Sequence, residues 1–377
     1  MNAAAPAPLS PEDLAGWRRL RETVGVVDFS GRGVLHLSGP DGPDFLQGLV
    51  TNDVAALPDG RGCGAAILTP LGRVFALLAV FRAGPDALYL FLQARGAGPV
   101  ADFLERYRFN EVVEIADLTA EVVWLSLQGP EAPAAAAEVF GDGAVPDAWG
   151  FRLASFAGRS ARVARLDEAG VPGVHVLVHA SAGGSLREAL ERAAAARGGG
   201  GASPRAWDVL RVEAGVPWQG VDVDEAVLPM EAGLHGILSE TKGCYIGQET
   251  VARALVQGRT NWSLWRLRLP AGSGVQPGQE LRVREKPRPV VRVRSVVASP
   301  AAGAPVALGY VHRDAARPGD VTLLDGDREI RARLEPLGPS DGSADAAAPG
   351  PSRADALAGA GEAAGGPRRG PGDGGAA

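Results

Sequence analysis

The sequence predicts an α+β protein made of two α+β regions followed by a small all-β unit. Three observations carry this. Short Val- and Leu-rich runs are joined by hairpin-like turns, such as Thr69-Pro70-Leu71-Gly72-Arg73 and Ala83-Gly84-Pro85-Asp86, which favours antiparallel pairing over a doubly wound parallel sheet. Helical segments interrupt these runs in two successive cycles. From Trp262 to Pro336 the helices stop, and short strands alternate with Gly or Pro every few residues, the signature of a small barrel or sandwich.

Each element has a local cause. Ser10-Pro11-Glu12-Asp13 supplies an N-cap, a first-turn proline and acidic residues at the positive end of the dipole, so a helix runs from there to about Thr23. Gly33 to Gly39 reads as a strand between glycines, and Asp41-Gly42-Pro43-Asp44 caps a helix from Phe45 to about Val50. Ala65–Thr69, Val74–Arg82 and Ala87–Leu92 are strands, Gly98–Tyr107 a helix, and Val112–Ile115 and Val122–Leu127 strands. The second cycle has an Ala-rich helix at Pro130–Phe140, strands at Phe151–Phe156, Ala161–Leu166 and Val174–Val178, and a helix at Ser185–Ala196 with Leu186 and Leu190 on one face. A Gly-rich connection follows at Ala196–Ala202, and a further helical run at Glu249–Val256. The expected organisation is a disordered N-terminus at 1–10, α+β regions at 11–127 and 128–261, a β unit at 262–337 and a disordered Ala/Gly/Pro-rich tail at 338–377.

Composition excludes several classes. Two cysteines among 377 residues build neither a disulfide scaffold nor a four-Cys metal site. A net charge of −6 argues against non-specific DNA binding. The longest apolar run, Val74 to Phe81, is far short of the roughly 18–20 residues that span a bilayer. With no basic start or apolar h-region at the N-terminus, the cytoplasm is the expected compartment. The five histidines are scattered; His175 and His179 are separated along a strand, so no metal site is expected. Of the 38 basic residues only Lys242 and Lys286 are lysine, a bias that draws attention to each.

Lys242-Gly243-Cys244-Tyr245-Ile246-Gly247-Gln248-Glu249 is the most informative segment. It places a thiol between glycines, beside a lysine and just before a helix, where a cation and the helix dipole favour thiolate. The bland alternative is a small residue in a tight loop. Cys63, in Arg61-Gly62-Cys63-Gly64, lies outside any such pattern.

The octapeptide closely resembles the signature of the YgfZ family of folate-binding proteins. That family includes mitochondrial proteins assisting [4Fe–4S] assembly and is related to the T-protein, the aminomethyltransferase of the glycine cleavage system. The resemblance extends from about Gly16 to Leu337 through Phe45-Leu46-Gln47-Gly48, Thr51-Asn52-Asp53-Val54, Thr69-Pro70-Leu71-Gly72-Arg73, Arg211-Val212-Glu213-Ala214-Gly215 and Pro229-Met230-Glu231. It implies a ring of two α+β regions plus a C-terminal small β-barrel around a central folate cavity. Tetrahydrofolate or another reduced folate is the implied cofactor. The implied function is support of assembly or repair of iron–sulfur cluster proteins, including those for tRNA modification. The implied partners are folate and iron–sulfur assembly or client proteins, with neither DNA nor membrane. Its alternative is a folate-dependent aminomethyltransferase or demethylase.

The same resemblance implies roles for residues. Cys244 is the reactive centre and Lys242 its electrostatic support. Glu213 matches the acidic residue that hydrogen-bonds the pterin. Asn52 and Asp53 line the folate cavity or close an Asx turn after the helix. Arg73 holds the glutamate tail or caps a hairpin, and Tyr245 or Trp218 offers a flat apolar wall. One departure bears on the enzyme question: the strand Gly72–Leu78, which matches the one bearing the transferase's catalytic Asp, has no carboxylate. Aminomethyl transfer needs proton handling at a folate nitrogen, so this argues against a classical aminomethyltransferase.

Overall fold

The computed structural model describes residues 7–257, 260–284 and 286–338. Most of the expected disordered N-terminus and nearly all of the expected disordered tail lie outside the described residues. The chain opens with α1 (Pro11–Glu22), whose N-cap Ser10 accepts from the Asp13 N–H, as its sequence dictates. There follow β1 (Gly25–Asp28), β2 (Arg32–Ser38), α2 (Gly42–Gln47), β3 (Gly62–Leu68), β4 (Val74–Gly84), β5 (Ala87–Arg95), α3 (Gly98–Tyr107), β6 (Glu114–Asp117) and β7 (Val122–Gln128). The next cycle contains α4 (Ala132–Phe140), β8 (Phe151–Phe156), β9 (Arg159–Arg165), β10 (Gly173–His179), α5 (Gly183–Ala195), the two-residue β11 (Gly200–Gly201) and α6 (Pro204–Ala214). After α7 (Gln248–Gln257) come β12 (Trp262–Arg268), β13 (Glu280–Val283), β14 (Val291–Ser299), β15 (Ala304–His312), β16 (Gly319–Asp325) and β17 (Arg328–Pro336).

Two sheets pack face to face. One has the order β3-β4-β5-β2-β6 and the other β11-β1-β7-β10-β9-β8. An aromatic layer joins them: Phe81 stacks on Phe151, Tyr89 on Phe151, and Phe91 meets Trp124 at 4.9 Å. The far face of the first sheet is buried in a core that includes Phe45 and Leu46 of α2 and Val100 and Leu104 of α3. The far face of the second is covered by α4 and α5 through Ala132, Ala135, Leu186 and Leu190. This layering explains the long apolar run on β4. Ala76, Leu78 and Val80 enter the helix-covered core while Leu77, Ala79 and Phe81 enter the layer between the sheets, so neither face meets water. Each of the larger buried side chains, Leu77, Leu78, Val80 and Phe81, contributes roughly 1.5–3 kcal/mol.

The expected boundary at 127/128 does not separate the sheets. It falls inside β7, which belongs to the second sheet, as do β1 and the Gly200–Gly201 bridge. β1 pairs antiparallel with β7 and parallel with β11, so the start of the chain completes a sheet built mainly from later residues. Such long-range pairing leaves no mark on local pattern. The strand expected at Val112–Ile115 sits two residues later, because Val112 N–H donates to the Asp41 carboxylate at the start of α2.

The last unit is a closed six-stranded barrel, β12-β15-β14-β13-β16-β17, sealed by pairing of β12 with β17. Closure removes the exposed edges that short strands would otherwise present. Helix α6 fastens the barrel to the sheets. Its Arg211 donates to Asp222 at 2.6 Å and to Ser295 of β14 at 3.2 Å, with both charged side chains fully buried. Among the described residues no helix is long and apolar enough to cross a membrane.

Candidate functional site

A cavity of about 340 Å³ lies where the two sheets and the barrel meet, a size within the usual small-molecule range. Its walls come from distant parts of the chain. β3 gives Gly64 and Ala65, β4 gives Leu77, Leu78 and Ala79, and β5 gives Gln93. The segment between β9 and β10 gives Leu166, Asp167 and Glu168, and the residue run just after α6 gives Gly215, Val216 and Pro217. Arg266 of β12 and Leu337, just beyond β17, complete it from the barrel side. Gly64 is required there: a Cβ would sit 2.7 Å from Ile237 Cγ2, another wall residue.

The wall is mostly apolar but holds a buried ion pair. Both Arg32 terminal nitrogens donate to Glu168 at 2.7 Å, and Arg32 Nε donates to the Leu92 carbonyl. The guanidinium also lies 4.3 Å from the Trp124 ring centre and 4.8 Å from that of Trp218. Burial alone would raise the Glu168 pKa, but Arg32 outweighs it and holds the carboxyl below its ordinary value. Behind the pair, burial pushes His175 down to about 4 against the pull of Glu168. Trp124 Nε1–H donates to His175 Nδ1, so the neutral ring carries its proton on Nε2, which faces the Leu166 carbonyl at 3.1 Å.

Trp149, just before β8, also lines the cavity. Its φ of +59° lies in the left-handed region, one of two such non-glycine residues among those described. Backbone hydrogen bonds hold it there: its N–H donates to the Arg165 carbonyl and its own carbonyl accepts from Gly62.

The structure gathers the motif residues around a loop next to this cavity. Ile237 on the wall accepts from the Thr51 hydroxyl, and Ser239 N–H donates to the Thr51 carbonyl. Lys242 then turns inward, away from service to the thiol. Its ammonium donates to the carbonyls of Gln47, Val50 and Asn52, the last two at 2.6 and 3.1 Å. Lys242 is therefore a strut that gathers the unsatisfied carbonyls at and beyond the end of α2. Burial lowers its pKa to about 8, with Asp53 and Cys63 opposing. Cys244 is exposed, and the position of a Cβ on Gly243 beside it meets nothing within 4 Å. Gly247, at φ +80°, packs on the Thr69–Gly72 turn so closely that a Cβ would lie 2.5 Å from the Thr69 carbonyl. Tyr245 and Ile246 anchor the loop in two different cores.

The other expected site residues serve as supports here. Asn52 donates to the carbonyl of Gly64, behind the cavity wall, and accepts from Asp53 N–H; Asp53 accepts from Gln47. The N–H groups two and three residues beyond Asn52, those of Val54 and Ala55, go instead to the Gln47 side chain. Arg73 donates to the Ala226 carbonyl at 2.8 Å and meets Glu231 at 3.4 Å, tying its turn to Pro229-Met230-Glu231. Glu213 faces away from the cavity. Its carboxylate accepts from Trp17 Nε1 at 2.9 Å, from Ser299 and from the Ala301 N–H, so it locks α6 to α1 and to the barrel. Neither Tyr245 nor Trp218 is on the cavity wall, where the aromatic residue is Trp149. Sequence reasoning missed Trp149, Glu168 and Arg32. Asp167-Glu168-Ala169-Gly170, just after the expected strand, carries no distinguishing pattern, and only the isolation of Arg32 between Gly31 and Gly33 hints at a special position. Among the described residues no group of three or more His, Cys, Asp or Glu side chains is arranged to hold a metal ion.

Two helix-covered sheets and a closed barrel, meeting at a cavity, define a small-molecule-binding protein of the T-protein architecture. The relatives narrow this. The family model described as the GCVT N-terminal domain matches residues 12–242, and the chain belongs to that family. It is 31% identical over 327 residues to an aminomethyltransferase of Synechococcus sp. (strain RCC307), covering 86% of this chain and 88% of the relative. It is 30% identical over 340 residues to an aminomethyltransferase of Rubrobacter xylanophilus, covering 86% and 89%. The crystal structure of glycine cleavage system aminomethyltransferase T from Bartonella henselae superposes with a TM-score of 0.75 at 21% identity, over 89% of this chain and 92% of that one. Aminomethyltransferases of the GCVT family use tetrahydrofolate, which agrees with the cofactor that the resemblance implies. The cavity has mostly apolar walls, one aromatic ring and the carboxylates of Asp167 and Glu168, a lining compatible with the ring of such a ligand.

Proposed function

We propose that this chain is a tetrahydrofolate-binding factor of the YgfZ type that supports assembly or repair of iron–sulfur proteins, including those of tRNA modification. The observation that carries this reading is the pairing of an apolar β4 wall with an exposed thiol beside it. The β4 residues on the cavity are Leu77, Leu78 and Ala79, on the strand where the transferase keeps its catalytic Asp. None can exchange a proton with a folate nitrogen. Cys244 is exposed on the loop that follows the wall residue Ile237, accessible to a macromolecular partner. A thiolate is a natural ligand for a cluster in transit, and the remaining ligands would come from that partner.

Reduced folate supplies a carrier for one-carbon units at its ring nitrogens when bound. The chain's own part is to enclose the ring between β3, β4 and the Leu166–Gly170 segment and to exclude water there. Lys242 fixes the thiol loop by holding three carbonyls at and beyond the end of α2. A second reading, folate-dependent aminomethyl transfer, is favoured by the names of the relatives and by Asp167 and Glu168, which bring carboxylates to the cavity from another segment. Purified protein given tetrahydrofolate and an aminomethyl donor separates the two. The proposed factor forms no methylene-tetrahydrofolate above background, and sustained turnover would establish the transferase.

A further inference from the structure

We infer that the barrel carries a second binding site, for a nucleotide: a flat base is held against the Trp262–Arg292 pair and a phosphate by Lys286 and Arg288. The site is a cleft of about 430 Å³ formed by the start of β12, the end of β15 and the β13–β14 connection, within the small-molecule range. It shares no lining residue with the cavity between the sheets and the barrel. Trp262 opens β12, and Arg266, which lines that cavity, lies four residues on, about 13 Å along the strand. The inference therefore does not rest on the folate reading.

Charge chooses an anion. From Trp262 to Leu337 the chain has thirteen Lys and Arg against eight Asp and Glu, in a protein whose net charge is −6. That local excess draws anions to the barrel. On the wall of the cleft, Arg292 Nε lies 3.2 Å from the Glu280 carboxylate and Lys286 Nζ 3.5 Å from that of Asp314. Arg288 meets no carboxylate among the described residues, so the lining keeps an unbalanced cation. Lys286 and Arg288 alternate with Pro287 and Pro289, whose fixed φ stiffens this rim, and Val290 N–H donates to the Leu281 carbonyl at its foot. A stiff rim loses less freedom when an anion arrives.

The opposite side of the cleft suits a ring. The guanidinium carbon of Arg292 lies 4.1 Å from the centre of the Trp262 ring, and the His312 ring meets the same indole at 5.1 Å and nearly at right angles. A guanidinium held between a carboxylate and an indole presents a flat cationic surface on which a base stacks. His312 Nδ1 accepts from the Asp314 N–H at 3.3 Å, so its neutral ring carries the proton on Nε2, a further donor for an acceptor-rich ligand. A free phosphate engages only the rim and a nucleoside only the ring side, whereas a nucleotide engages both. The nucleotide comes either free or as a unit of a single RNA strand, and the test separates the two.

The test is calorimetric titration of the full chain with AMP, adenosine, inorganic phosphate and hexa-adenylate. AMP binds at least about tenfold tighter than adenosine or inorganic phosphate. Arg288→Glu, at an exposed position, weakens AMP by about tenfold and leaves tetrahydrofolate affinity unchanged. Trp262→Leu weakens AMP and adenosine by the same factor, about tenfold, and Trp262→Phe restores much of the loss. Saturating tetrahydrofolate leaves AMP affinity unchanged. Hexa-adenylate that binds more than about tenfold tighter than AMP, and is weakened by Arg288→Glu, identifies a strand as the source, and weaker binding than that identifies the free nucleotide. No binding of AMP, equal binding of AMP and inorganic phosphate, an AMP affinity untouched by Arg288→Glu, or displacement of AMP by tetrahydrofolate overturns the inference. Absence of tetrahydrofolate binding overturns the folate reading and leaves this inference standing.

Discussion

The cavity wall and the Lys242–Gln248 loop are neighbours built in opposite ways. At the wall a charged pair is buried, Arg32 with Glu168, and the surrounding surface is apolar. At the loop the charge is used up on backbone carbonyls and the thiol is left in the open, with Lys242 buried and Cys244 exposed. The wall is suited to binding a small ring out of water, and the loop to presenting a thiol to something large. Exposed Leu71, on the turn against which Gly247 packs, adds apolar surface near that thiol. The contrast teaches that a motif's charged residue need not serve the cysteine beside it. Lys242 is two residues from Cys244 in sequence, and the carbonyls that its ammonium holds lie almost two hundred residues away.

The contrast breaks most sharply at Arg32. Arg32→Ala leaves a buried carboxylate unpaired and costs about 3–5 kcal/mol in chemical denaturation, whereas Arg32→Met combined with Glu168→Leu recovers most of that. Lys242→Met comes next. It strands carbonyls of the α2–β3 connection and costs about 2 kcal/mol, and a loss under about 0.5 kcal/mol would remove the strut assignment. Acid sharpens the wall further. His175 stays neutral in the folded protein down to about 4, while an unfolded histidine charges near its ordinary value of 6.5. Between these values the unfolded chain binds more protons, so stability is full above about 6.5 and falls as pH drops toward 4, by about 1 kcal/mol per pH unit. His175→Gln flattens that slope in denaturation curves taken at pH 4.5, 5.5 and 7. The smallest effect on stability belongs to the loop: Cys244→Ser shifts it by less than about 0.5 kcal/mol, because an exposed thiol supports no packing.

Much of the architecture was legible in the sequence. The capped first helix, the hairpins around Pro70 and Pro85 and the closing all-β unit all rest on local chemistry that the structure repeats. What local chemistry cannot carry is partnership. Nothing near Gly25 announces that it pairs with Gln128 and Gly200, and the helix at Pro204–Ala214 is not among the elements expected from the sequence. The site divides in the same way. The octapeptide around Cys244 stands out because its residue types are rare and closely spaced. The residues that face the cavity are single members of unremarkable segments, and they become a site only when β2, β9 and the Asp147–Gly150 turn converge. Glu213 sits in a recognisable run, yet side-chain direction at the end of a helix depends on what packs there, and here that is Trp17 and the barrel.

The central claim is that folate binding and thiol function are separable parts of one molecule. The direct measurement is tetrahydrofolate titration of the native protein and Cys244→Ser, alongside complementation of a strain lacking its own YgfZ-type protein. The account predicts equal affinity within about twofold and loss of complementation by the variant. Full complementation by Cys244→Ser, or loss of folate affinity with the thiol, would contradict it.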